Sequence, residues 1–173
     1  KIIEVNKKEK WVRVQPGVIR DDLNHYLRPL GLMYGPETST ASRAMIGGML
    51  GNNSCGLHSI IWGSAREHVL EVNALLSDGS ETVFKQEEPC AGDHPFKNKI
   101  YGELNRLLAD PVNQQLIRGN FPDANVHRRN SGYALDSMLQ MKPYAPAGEP
   151  FNLCKLLAGS EGTLAFVTEI KLN

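Results

Sequence analysis

The sequence predicts an α+β domain, with one mixed or antiparallel sheet flanked by helices across residues 1–173. Two observations carry this reading. Short β-branched and apolar runs come in pairs joined by brief polar turns, which is the mark of hairpins. The helical stretches between them lack the strand–helix–strand rhythm that builds a parallel sheet. The length suits a single domain able to bury a real core.

The elements follow in order. Ile2 to Val5 and Trp11 to Val14 read as a hairpin closed by the polar turn Asn6 to Lys10, and Pro16-Gly17 ends its second strand. Ile19, Leu23, Leu27 and Leu30 recur at helical spacing, with Asp21 and Asp22 in the first turn, where the helix dipole favours negative charge. Gly31 is placed to cap that helix. Met33 to Ala44, rich in Gly, Pro, Ser and Thr, is expected to be loop. Val69 to Leu76 and Thr82 to Phe84 flank Ser77-Asp78-Gly79-Ser80 and predict a second hairpin. Residues 86–99, with Pro89, Gly92 and Pro95, are expected to form a flexible insertion, as are residues 143–150. Between them, Ile100 to Leu108 and Val112 to Arg118 predict helices, the second started by Pro111. Phe151 to Leu157 predicts a short helix or strand, and Leu164 to Leu172 a closing strand.

Composition excludes several classes. The chain carries 19 basic and 19 acidic residues, a formal net charge of +0. No basic field is available for nucleic acid or anionic lipid. Cys55, Cys90 and Cys154 are odd in number and widely spaced, so neither a disulfide framework nor a metal motif is expected. No apolar run is long enough for a membrane span, and the charged run Lys7 to Lys10 stands where a signal peptide would be apolar. A reducing, cytoplasmic setting is expected, with membrane association only through an electron acceptor.

Chemistry concentrates in two glycine-rich segments. The first, expected as a loop, runs from Met45 to Gly56 and contains Gly47, Gly48, Gly51 and Gly56 with Asn52, Asn53 and Ser54, followed by Trp62-Gly63; the second runs from Leu157 to Thr168 around Gly159 and Gly162. Without a Cβ, backbone can approach a large ligand closely, and the neighbouring amides and hydroxyls can bond to its heteroatoms. Neither the phosphate-transfer loop nor the Rossmann fingerprint is present. The competing reading is that these glycines only serve tight turns and close packing.

The ordered set Trp11 to Val18, Gly35-Pro36-Glu37-Thr38, Ile46-Gly47-Gly48 through Asn53 and Gly56, then Trp62-Gly63, resembles the FAD-binding domain of vanillyl-alcohol oxidase-type flavoenzymes, the PCMH-type fold. Arg129 to Leu135 and Gly159 to Leu164 are similar to the branch that holds the flavin-binding chain of glycolate oxidase, D-lactate dehydrogenase and D-2-hydroxyglutarate dehydrogenase. This resemblance implies the second subdomain of that fold. It places a smaller first FAD subdomain, a substrate-binding cap and, in the large bacterial forms, an iron–sulfur module outside this chain. It also implies FAD as cofactor and a small 2-hydroxy acid as substrate, oxidised to the 2-oxo acid. The alternative is a non-catalytic domain that keeps the fold and, as isolated, binds no flavin.

By residue-for-residue resemblance the cofactor contacts fall on Pro36, Glu37, Thr38, Ser39, Thr40, Gly47, Gly48, Asn52, Asn53, Ser54, Gly56, Trp62 and Gly63 on one side. Gly159, Glu161, Gly162, Phe166 and Val167 supply the other. The two segments are therefore expected to meet in space. No catalytic residue is assigned. His58, His68, His94 and His127 are eligible by type, but none has a recognisable partner in the sequence.

Overall fold

A computed structural model describes residues 1–87, 94–123, 125–126, 128–130 and 132–173. Its frame is a five-stranded, wholly antiparallel sheet built from β1 (Ile2–Asn6), β2 (Trp11–Val14), β3 (Val69–Leu75), β4 (Glu81–Lys85) and β5 (Phe166–Leu172). The strand order is β1-β2-β5-β3-β4, so the two predicted hairpins are joined edge to edge by the last strand.

Alternation along the strands decides which face is covered. Val12, Val14, Val72, Ala74, Phe84, Ile170 and Leu172 are buried on one face, each large side chain contributing roughly 1.5–3 kcal/mol by leaving water. On the other face Arg13 pairs with Glu71, and Asn73 donates to Glu169 at 3.1 Å. Lys171 Nζ lies 4.1 Å from the Trp11 ring centre.

Helices cover the apolar face. The helix α1 (Arg20–Leu27) buries Leu23 and Leu27, and after a short 3-10 turn Gly31 ends the element at φ 72°. The first glycine-rich segment, expected as a loop, begins instead with a helix, α2 (Ile46–Gly51). Glycine is a poor helix former, but Ile46, Met49 and Leu50 are buried at helical spacing, and their packing overrides propensity. The four-residue helices α3 (Ser59–Trp62) and α4 (Ala65–His68) follow.

Beyond β4, the expected insertion is corrected in part. Gln86 bridges to Asn152, and α5 (Pro95–Ala109) already covers residues 95–99. Its start is fixed by Pro95 at the first position and by His94, whose side chain accepts from Lys97 N; residues 88–93, Cys90 among them, lie outside the described residues. The helix α6 (Pro111–Asn120) is capped by Asp110, which accepts from the amides of Val112 and Asn113; such a cap contributes about 1 kcal/mol. After α7 (Leu135–Met138), the turn-rich stretch 143–150 is closed by Lys142 N donating to Glu149 O at 2.9 Å. The short helix α8 (Cys154–Leu157) then leads into the second glycine segment.

Candidate functional site

The two glycine segments meet. Gly159 N donates to Leu50 O and Glu161 N donates to Gly51 O, both at 2.9 Å. The approach is close without being crowded: a Cβ placed on Gly51 would stand 3.6 Å from Gly162 N, in ordinary van der Waals contact. Around this junction opens a cleft of about 570 Å³, lined by Gln15, Pro16, Gly47, Leu50, Gly51, Leu157, Ser160, Gly162, Ala165, Phe166, Val167 and Thr168. The volume lies within the usual range of small-molecule sites.

The lining is uncharged. Phe166 presents a ring that is 70% exposed, while Gln15, Ser160 and Thr168 supply polar groups. The Thr168 hydroxyl is engaged on Asn73 O at 3.1 Å. Gly47, Gly162, Phe166 and Val167 thus converge from both sequence blocks, and Glu161 follows through its backbone. An added Cβ at Gly48 or Gly162 would meet nothing within 4 Å, so a ligand can approach backbone at both. A flat, largely apolar group with polar atoms on one edge fits this surface.

The other sequence-predicted residues stand elsewhere. Glu37 accepts from His58 Nδ1 at 2.7 Å, a bond that holds its carboxyl below the ordinary value, and its Cβ would lie 2.4 Å from one built on Gly56. Thr38 and Thr40 are hydroxyl partners of each other at 3.2 Å, and Pro36 O accepts from Arg20 Nε at 3.3 Å. Ser39 and Asn52 are exposed. Trp62 packs on Gly35 and borders a second groove with Trp11, Tyr34 and His68, at the far end of β5 from the cleft. Gly63 takes φ 66° beside the Glu67 carboxylate.

Behind the cleft lies a buried polar hub, of which the motif reading singled out only Asn53, as a cofactor contact; its side chain is engaged inside the hub and is absent from the cleft lining. Asn53, 1% exposed and at φ 49°, accepts through Oδ1 from the Ser64 hydroxyl and from Arg66 N, both at 2.8 Å, and donates to Asn130 Oδ1 at 3.3 Å. Arg66, 8% exposed, donates from Nε to Lys155 O at 2.9 Å and from Nη2 to Ala158 O at 2.7 Å. Lys155 returns the tie, with Nζ 2.8 Å from Arg66 O. Burial holds both cations below their ordinary values. The signal available in sequence was a lone Arg between Ala65 and Glu67, which reads as an ordinary surface charge.

Three histidines have structural partners: His58 with Glu37, His68 with Trp62 O at 2.6 Å, and His94 at the α5 cap. His127 lies outside the described residues. Among the described residues no group of three metal-ligating side chains occurs, and no helix is long and apolar enough to cross a membrane.

The sequence was also compared with known proteins. Residues 1–84 match the FAD binding domain family. The chain is 39% identical over 177 residues to the D-2-hydroxyglutarate dehydrogenase of Escherichia coli (strain K12), covering 100% of this chain and 17% of that protein. It is 34% identical over 178 residues to the protein of the same name from Pantoea ananatis (strain AJ13355), covering 100% of this chain and 16% of the relative. The glycolate oxidase protein GlcD of Bacillus subtilis (strain 168) is 33% identical over 78 residues, which are 45% of this chain and 17% of that relative. The chain therefore spans 16–17% of the length of these relatives. The part that is similar to the FAD binding domain family, residues 1–84, holds the first glycine segment and all of the sheet except β5 and the last residue of β4.

Proposed function

We propose that this chain is the FAD-binding part of a flavin-dependent oxidoreductase that oxidises a 2-hydroxy acid, of the D-2-hydroxyglutarate, D-lactate or glycolate type, to the 2-oxo acid. The observation that carries it is the junction of two glycine segments, far apart in sequence, at one open cleft. When bound, FAD supplies the redox chemistry, and the protein's part is to hold and orient it.

The residues divide that work. Phe166 and Val167 offer an apolar surface for a ring face, Gln15 and Ser160 offer polar atoms at its edge, and Gly47, Gly51 and Gly162 keep side chains out of the way. With no charge in the lining, the cleft suits the ring system better than the pyrophosphate. Gly48, Gly159, Glu161 and Asn53 support these walls. Pro36, Glu37, Thr38, Ser39, Thr40, Asn52, Ser54, Gly56, Trp62 and Gly63 border the remainder of the dinucleotide in this proposal.

The test is an anaerobic titration of the natural full-length chain, reconstituted with FAD, by D-2-hydroxyglutarate, D-lactate and glycolate in turn. Bleaching of the visible flavin band by one of them is the expected result. Bound flavin that none of the three bleaches overturns the 2-hydroxy-acid assignment, and failure to bind FAD at all supports the non-catalytic alternative.

A further inference from the structure

We infer that Arg66 is a positioning residue of the cleft, fixing the second glycine segment against α2 and so setting the distance between the two walls. The inference rests on the flavin reading of that cleft. Its basis is the hub described above. Arg66 is tied through its own amide to Asn53, at the end of the first segment, and through its guanidinium to Lys155 O and Ala158 O, at the start of the second. The reciprocal bond from Lys155 Nζ to Arg66 O makes the link two-way.

The glycine beside it is shaped by this link. A Cβ on Gly159 would lie 2.8 Å from Arg66 Nη2, so the guanidinium occupies the space that a side chain there would need. A buried cation of this kind is kept by its hydrogen bonds and by nearby charge, here Glu67 and Asp136. Asp136 in turn pairs with Arg129, next to the Asn130 that Asn53 holds. Three chain segments thus meet at Arg66: its guanidinium holds the start of the second glycine segment, its backbone amide holds Asn53, and Asn53 in turn holds Asn130. Lys cannot replace it, because an ammonium lacks the planar fork that reaches two carbonyls at fixed angles.

The experiment uses the natural full-length chain with FAD as probe and compares Arg66→Lys, Arg66→Met, Gly159→Ala and the Arg66→Lys/Gly159→Ala double variant. Flavin affinity and the visible circular dichroism of the bound flavin are measured beside thermal unfolding of the flavin-free protein. Arg66→Lys is expected to stay folded, to bind FAD about 10- to 100-fold more weakly, as a displaced binding wall predicts, and to change the visible dichroism. Gly159→Ala is expected to lose less affinity in the Arg66→Lys background than alone, since the two sites compete for one volume. Wild-type affinity and dichroism in Arg66→Lys, or strict additivity with Gly159→Ala, overturns the inference, and this holds even where Arg66→Met fails to fold. Phe166→Glu separates the two levels: wild-type FAD affinity in that variant overturns the flavin reading and the inference with it. Loss of FAD there with retention in Arg66→Lys overturns the role of Arg66 alone.

Discussion

The two glycine segments are alike in composition and differ in what they ask of glycine. In the first, Gly47 sits in a helix and is needed because a neighbour is close: a Cβ there would fall 2.5 Å from Pro16 Cβ. In the second, Gly159 and Gly162 adopt φ +94° and +72°, a region that other residues enter only at a cost. The first segment is shaped by its neighbours, and the second by its own backbone together with, at Gly159, the Arg66 guanidinium. Glycine content alone therefore does not say which glycine faces a ligand.

Substitutions can break this distinction. Gly159→Val carries the largest expected effect, because it combines a disfavoured backbone angle, roughly 1–2 kcal/mol, with displacement of a buried cation, roughly 3 kcal/mol or more. Thermal unfolding followed by circular dichroism should show a fall in Tm of about 10 °C or more. Gly47→Ala keeps a permitted backbone and only crowds Pro16, which costs about 1–3 kcal/mol; a Tm loss as large as that of Gly159→Val would erase the contrast.

Gly48→Val should barely change stability, within about 0.5 kcal/mol, because a Cβ there meets nothing. Flavin retention is its informative reading, measured as visible absorbance per protein after gel filtration. Unchanged flavin content would remove Gly48 from the cofactor contacts.

The smallest expected effect is a pH dependence shared by the approaches to both segments. Tyr34, ahead of the first, and Cys154, ahead of the second, are buried acids held neutral. Burial pushes the Tyr34 hydroxyl upward and the Cys154 thiol from an ordinary 9.0 to about 12. A folded value above the unfolded one means that the contribution is complete below pH 9 and is lost as pH rises from there towards 12. Tm should therefore decline on the alkaline side, and Cys154→Ala should flatten that decline between about pH 9 and pH 11; an unchanged slope would dismiss the thiol as its source.

Much of this fold was legible because its signals are local. Both hairpins, the helix ended by Gly31 and the helix started by Pro111 follow from turn residues and periodicity that act over a few positions. The helix α2 was missed because Gly47, Gly48 and Gly51 argue against it locally, and only the burial of Ile46, Met49 and Leu50 offsets the loss. The site divides in the same manner. Gly162, Phe166 and Val167 were found together from the motifs, whereas Arg66 was invisible, since its partners are backbone carbonyls at Lys155 and Ala158 and carbonyls carry no sequence signature.

The place of β5 between β2 and β3 also bears on how the protein is made. Until Phe166–Leu172 leaves the ribosome, the nascent chain holds two hairpins whose inner edges are both unpaired, the kind of surface on which other chains nucleate. Joining them requires contacts of long sequence separation, which form slowly. Synthesis therefore passes through an interval in which the products at hand are two sticky half-sheets, and chaperone occupancy during that interval should depend on the β5 segment more than on any other strand.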